Sequence, residues 1–240
     1  MMRLDRLLGL LGIASRTGAK EMIRLGRIQV DGQTMLDNTV KVHAGCALVV
    51  DGVPVDARTA RHLMMNKPAG TLPAAQDRNA ATVMDLLPRV YHTLSCMPVG
   101  RLDKDTEGLL LFTTDGKLTH RLLAPASGVE KEYDALVAGE LTQQDVQAFA
   151  DRLRLSDFEA LPAQLTILRV HNGQSSARVV VTEGKFHQVK RMFAARGHEV
   201  ISLKRVRFGP LTLDPALGPG EFRELREEEW QTLSACVLNK

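Results

Sequence analysis

Over the first sixty residues the apolar positions keep a helical period and then change to strand alternation. Leu4, Leu7, Leu8 and Leu11 fall on one face of a helix that breaks at Gly12. Ser15 stands as the N-cap of a second helix with Ala19, Met22 and Ile23 on its apolar face, ended by Gly26. "RIQVDG" then reads as a strand running into an Asp31–Gly32 turn, and "CALVVDG" as another before a second Asp-Gly turn. The pattern predicts a small helix-helix-strand domain over residues 1–60, marginal alone but viable beside a larger one. "PVDARTARH" reads as the linker.

From Leu63 strands dominate, interleaved with occasional helices. "HLMMNKPAG" is a strand stopped by Pro68 and Gly70, and "TVMDLLP" a short helix. "LLLFTT" is a buried strand, Asp115–Gly116 a turn, and "KLTHRLLAP" a helix closed by Pro125. "KEYDALVAG" alternates as a strand, and Thr142 caps the helix "QQDVQAFADRL". "AQLTILRV" and "SSARVVVTEG" form a hairpin around Asn172–Gly173. "FHQVKRMFAARG" is a helix ended by Gly197, and "EVISLKRVRFG" returns to strand. Hairpins outweigh strand-helix-strand units. The fold class is therefore α+β, with a larger domain over residues 61–240 whose mostly antiparallel or mixed sheet is flanked by helices.

Composition adds little until it is read locally. Charged residues make up 25% and hydrophobic ones 44%, ordinary for a globular protein, and the net charge is only +3. A basic surface must therefore come from clusters. Met1 to Arg27 carries six Lys/Arg against two acids, and Lys185 to Arg207 seven against one. Such runs suit either solvated helix faces or contacts with nucleic acid. The three cysteines, Cys46, Cys96 and Cys236, are far apart and have no metal-ligand spacing, which fits a reducing cytosol. "MMRLDRLLGLLGIAS" superficially looks like a signal peptide, but Asp5 sits in its charged region and no small-x-small site follows. No apolar run is long enough to span a bilayer, so a cytoplasmic protein with no membrane partner is expected.

The candidate chemistry lies in "GRLDKDTEGLLL", with Asp103, Asp105 and Glu107 at alternate positions and Gly108 behind them. Read alone, the stretch leaves several possibilities. It matches the first half of a calcium loop, but Thr114 stands where the loop's bidentate glutamate belongs. Asp-x-Asp-x-Thr also fits a phosphatase nucleophile loop, although Gly100 and Arg101 interrupt the strand that should precede it. Paired carboxylates would suit glycoside cleavage, but no second carboxylate can be placed opposite the first. A charged turn with no chemistry is the remaining reading.

The twelve residues resemble the active-site motif of pseudouridine synthases, which in one large branch reads G-R-L-D-x-D-T-x-G-L-L. "NKPAG" resembles that branch's Lys-Pro motif, "EKEYDAL" its Lys-x-Tyr motif and "EGKFHQVKRMF" its basic motif. The first domain, with "RLD", "SR" and "VDG" in register, resembles the RNA-binding module named for ribosomal protein S-four; Asp31 replaces the usual asparagine of its last turn. The resemblance covers nearly all the chain and is nearest to the small-subunit ribosomal RNA enzymes. It implies isomerisation of a uridine in ribosomal RNA to pseudouridine, a reaction that needs no cofactor or metal. Asp103 would be the catalytic carboxylate, acting as nucleophile or base. Lys190 would favour its ionised form as a point charge where many relatives have arginine. Tyr133 would stack on the target base, and Arg101 would contact the RNA or the flipped nucleotide. Asp105 and Thr106 would shape the turn. Arg3, Arg16, Lys20, Arg24 and Arg27 would grip RNA from the first domain's helices, with Lys204, Arg205 and Arg207 lining the catalytic cleft. With one Trp and two Tyr, shape and backbone readout suit the chain better than multiple aromatic platforms. The implied partner is ribosomal RNA or an assembling ribosomal subunit, bound by a monomer. Two other readings are a large-subunit rRNA enzyme and a non-catalytic RNA-binding assembly factor.

Overall fold

The computed structural model describes residues 1–238, which form two compact units. The first comprises Met1–His62 with Leu87–Met97 and Thr113–Asp115; the second comprises the remaining residues.

In the first unit, β1 (Met2–Arg3) leads into α1 (Leu4–Leu10), and α2 (Arg16–Arg24) follows. Ser15 caps α2 by accepting the Gly18 N–H at 3.2 Å. A four-stranded antiparallel sheet has the order β3-β2-β5-β6, from β2 (Ile28–Val30), β3 (Gln33–Thr34), β5 (Ala47–Val50) and β6 (Val53–Asp56), while β4 (Lys41–Val42) pairs with β1. Val53–Asp56 is thus a strand, not part of a linker: it extends the sheet by pairing along β5. Asp31 and Asp51 adopt left-handed conformations at φ 50 and 52 ahead of their glycines. Asp31 also accepts the Ala47 N–H at 2.9 Å, a side-chain bond that favours aspartate at that turn. Leu4, Leu7, Leu8, Ala19, Ile23 and Ile28 are fully buried beneath the two helices. A helix the periodicity does not reveal, α3 (Arg89–Thr93), belongs to this unit, and Thr93 Oγ1 donates to the Leu10 carbonyl at 2.7 Å.

The larger sheet has the order β11-β12-β10-β13-β9-β7-β15. These are β7 (His62–Lys67), β9 (Glu107–Thr113), β10 (Lys131–Ala138), β11 (Gln164–His171), β12 (Gln174–Val181), β13 (Val200–Phe208) and β15 (Phe222–Glu224). β8 (Met97–Pro98) pairs with β9, and β14 (Leu211–Thr212) with β13. The sheet is mixed: β9 and β13 run parallel, whereas β10 is antiparallel to both β12 and β13. Helices α5 (Gln143–Ala150) and α6 (Gln188–Ala195) contribute Phe149 and Phe193 to one core, their ring centroids 5.0 Å apart. Helices α4 (Gly116–Leu123) and α7 (Glu227–Leu238) contribute Leu118, Leu122 and Leu233 to a second core, around Leu109 and Phe208. Helix α4 begins at Gly116, where a turn is expected, and α6 begins at Gln188, two residues later than its periodicity suggests.

One contact fixes how β9 meets β13. Gly108 has φ +99, and a Cβ there would lie 2.2 Å from the Arg205 carbonyl oxygen, so only glycine allows the approach. Arg205 does not line a cleft. Its side chain is buried, Nε donates to the Leu109 carbonyl at 2.8 Å, and its guanidinium lies over Phe208. Arg207 is held by Glu130 and Glu132, leaving Lys204 as the exposed cation of that group.

Candidate active site

The turn carrying Asp103 lies between β8 and β9 and closes with the Thr106 N–H donating to the Asp103 carbonyl at 3.2 Å. It is braced by Lys67, the last residue of β7, whose side chain has no exposure. The Lys67 ammonium donates to the carbonyls of Pro68 (3.0 Å), Lys104 (3.1 Å) and Thr106 (2.8 Å). All three of its N–H bonds are matched, and two of them clamp the peptide on either side of Asp105. Burial pushes Lys67 down to about 8, opposed by Asp105, Asp103 and Glu107 nearby. Gly70 adds a backbone bond to the Lys104 carbonyl at 2.8 Å.

Two residues of the basic segment reach the turn. Lys190, on the first turn of α6, places Nζ 2.5 Å from Asp105 Oδ1 and 3.5 Å from Asp103 Oδ2. His187 places Nε2 3.5 Å from Asp103 Oδ1. The three acids therefore separate. Asp105 takes the nearer share of the lysine, and that bond holds its carboxyl below the usual carboxylate range. Asp103 sits between Lys190 and His187, and its side chain is 23% exposed. Glu107 opens β9 opposite Lys204.

The pocket above Asp103 is lined by Arg101, Thr106, Tyr133, His187 and Val189 among others. Tyr133 is half-buried on β10, beside a register shift against β13 between Glu132 and Tyr133. A bulge of this kind re-aims a side chain without breaking the sheet. The Thr106 hydroxyl is buried and has no hydrogen-bond partner among the described residues. Arg101, Asp103 and Tyr133 thus line one pocket, with Lys190 set against Asp103 from α6.

The basic residues of the first unit are unequal. Arg3, in β1, is bonded to Asp5; Arg24, in α2, to Glu21; and Arg27, in the loop after α2, to Asp51. Arg16 and Lys20 are exposed on α2 with no ion-pair partner among the described residues.

His187 and Lys67 carry parts of the site that their motifs did not reveal. His187 is left-handed at φ 50, ψ 28, a conformation costing a non-glycine residue about 1–2 kcal/mol that histidine tolerates better than most. The helical period runs through it unbroken, so no pattern in the sequence marks the break. Lys67 ends β7 behind Asn66, where the sequence does not distinguish a buried lysine from an exposed one; the structure shows the last five residues of the strand all buried.

The site thus presents one half-buried carboxylate on a braced turn beside a cation, in a pocket shared with a tyrosine, while Asp105 is taken up by Lys190. Comparison with known proteins gives the chain its family. The family described as RNA pseudouridylate synthase matches residues 61–195, and the S4 domain matches residues 2–45. The chain is 42% identical to an uncharacterised RNA pseudouridine synthase of Bacillus subtilis, covering 97% of this chain and 98% of that one. It is 37% identical to the ribosomal small subunit pseudouridine synthase A of Yersinia pestis (99% and 100% covered), and 34% identical to the ribosomal large subunit pseudouridine synthase B of Bacillus subtilis (99% and 97%). A crystal structure of a pseudouridylate synthase superimposes with a TM-score of 0.66 at 29% identity, covering 97% of this chain and all of that one. The chain belongs to the RNA pseudouridylate synthase family, with an S4 domain at its N-terminus.

Proposed function

We propose that this enzyme isomerises one uridine of small-subunit ribosomal RNA to pseudouridine, with Asp103 as the catalytic carboxylate. The observation that carries the reading is Asp103 itself, held on a clamped turn under an open pocket with Lys190 and His187 both 3.5 Å from its oxygens. The reaction breaks the N1–C1′ bond, turns the freed uracil, joins C5 to C1′, releases the C5 proton and places a proton on the freed N1, so atoms balance without a co-reactant. Asp103 supplies the carboxylate that such chemistry at an anomeric centre needs. Lys190 sets a positive charge beside it, Tyr133 stacks on the flipped base, and Arg101 at the pocket mouth contacts the RNA strand. Arg3, Arg16, Lys20, Arg24 and Arg27 contribute phosphate contacts, offsetting the few kcal/mol needed to extrude a base. The protein acts as a cytoplasmic monomer; among the described residues no helix is long and apolar enough to cross a membrane.

The test is to map pseudouridine in rRNA of both subunits, from cells with and without the protein, by carbodiimide modification and reverse transcription. One mark lost from the small-subunit RNA is expected. A mark lost from large-subunit RNA would transfer the substrate there, and no lost mark would leave a binding protein. Asp103→Asn should abolish turnover while keeping RNA affinity within a few fold, and retained turnover would remove Asp103 from the mechanism.

A further inference from the structure

The sequence has ten aromatic side chains: one Trp, two Tyr and seven Phe. Nine are buried or half-buried. Only Phe186 is exposed, at 73%, and it lies in the chain between Lys185 and His187, two residues that line the Asp103 pocket. Its ring stacks on His187, with centroids 3.8 Å apart and planes 17° from parallel. His187 lines the pocket and contacts Asp103, so one face of Phe186 rests on the site and the other is open.

The segment carrying the ring is fixed. The Phe186 carbonyl accepts from Arg191 Nη1 at 3.4 Å. Gln188 Oε1 accepts the Lys185 N–H at 3.0 Å, and Gln188 Nε2 donates to Glu183 at 2.8 Å. Glu183 in turn accepts the Leu161 N–H at 2.8 Å. The left-handed backbone of His187 makes the helix begin at Gln188 and leaves Phe186 outside it. A ring held this way loses little freedom when a planar partner settles on it, which favours binding.

We propose that the exposed face of Phe186 is a stacking subsite for a nucleobase flanking the target uridine. This rests on the reading of the pocket as the uridine site. When the uridine leaves its stack, its neighbour loses a stacking partner. An aromatic face stacked on the pocket-lining His187 replaces that partner and is indifferent to base identity, because every base has a π-face.

The experiment compares wild type, Phe186→Leu and Phe186→Tyr for tritium release from naked small-subunit rRNA transcribed with 5-tritiated uridine. Leucine keeps the apolar bulk and loses the ring; tyrosine keeps the ring. The Leu variant should lose roughly 5- to 150-fold in kcat/KM, while the Tyr variant stays within a few fold of wild type. In parallel, the added indole of Phe186→Trp should be quenched when the same RNA binds, measured against the Trp230 background. Equal kcat/KM for the Leu variant and an active wild type would overturn the proposal, as would an indole whose emission RNA leaves unchanged. A deficit seen on ribosomal particles but absent on naked RNA would also overturn it, assigning the ring to a protein contact. A wild type inactive on both naked RNA and ribosomal particles would instead sink the small-subunit rRNA reading, and the quenching would still decide whether a base stacks on residue 186.

Discussion

Lys67 shows how one buried side chain ties the active-site turn to the pH of the medium. Folded, it titrates near 8 because it is buried; in the unfolded chain it returns to about 10.5. Lys131, buried on β10 with Nζ bonded to the Thr182 carbonyl at 3.1 Å, is also pushed down to about 8. Between these values the unfolded chain holds more protons than the folded one, so unfolding takes up protons and stability rises with pH. Below about 8 both ammoniums are charged and buried, and their desolvation cost is fully present. The urea midpoint should therefore rise from pH 7.5 to 9.5, and Lys131→Met should flatten part of that rise. A midpoint falling over this window would contradict both assignments. Turnover should move the other way, because a neutral Lys67 loses a donor to the carbonyls on either side of Asp105. Of these residues, Asp103 was legible because twelve consecutive residues resemble one motif. The links from Lys190 to Asp105 and from His187 to Asp103 join parts of the chain some eighty residues apart, so spacing alone cannot reveal them.

At the scale of elements, the apolar period located the helices and strands that bury a continuous face, such as α2, α5, β10 and β12. It was silent for β1, β3, β4 and β14, which have two residues each and no period to read. It could not foresee the parallel contact of β9 with β13, because that pairing depends on one missing Cβ at Gly108 rather than on any apolar pattern. That contact matters because β9 begins one residue after the turn that carries Asp103. Gly108→Ala combines a left-handed φ with overlap against backbone, which cannot swing aside, and should cost about 3 kcal/mol or more. Gly116→Ala, at the start of α4 with open space around it, should change stability by less than about 1 kcal/mol. Urea denaturation of the two variants separates the effects, and a Gly108 variant as stable as the Gly116 variant would show that β13 can yield.

For the molecule as a whole, a net charge of +3 is too small to hold RNA by its overall field, so affinity must come from particular unpaired cations. Arg3, Arg24 and Arg27 are each bonded to a carboxylate, and binding a phosphate would require breaking or sharing that bond. Arg16 and Lys20 carry no such cost. If each meets one phosphate, replacing both with alanine should lower the slope of log affinity against log salt by roughly 1.4–1.8. Arg27→Ala should change it less, since the guanidinium is already neutralised by Asp51 and the variant frees an exposed carboxylate. Titrating fluorescent rRNA fragments with the full-length variants over a range of salt concentrations measures these slopes. Point substitutions serve better than deleting residues 1–60, because Leu87–Met97 packs in the first unit and would lose its partner. If the double variant keeps the wild-type slope, the phosphate contacts lie outside the S4 domain's α2, and Lys204, paired with Glu107 just after the turn that carries Asp103, becomes the next cation to replace.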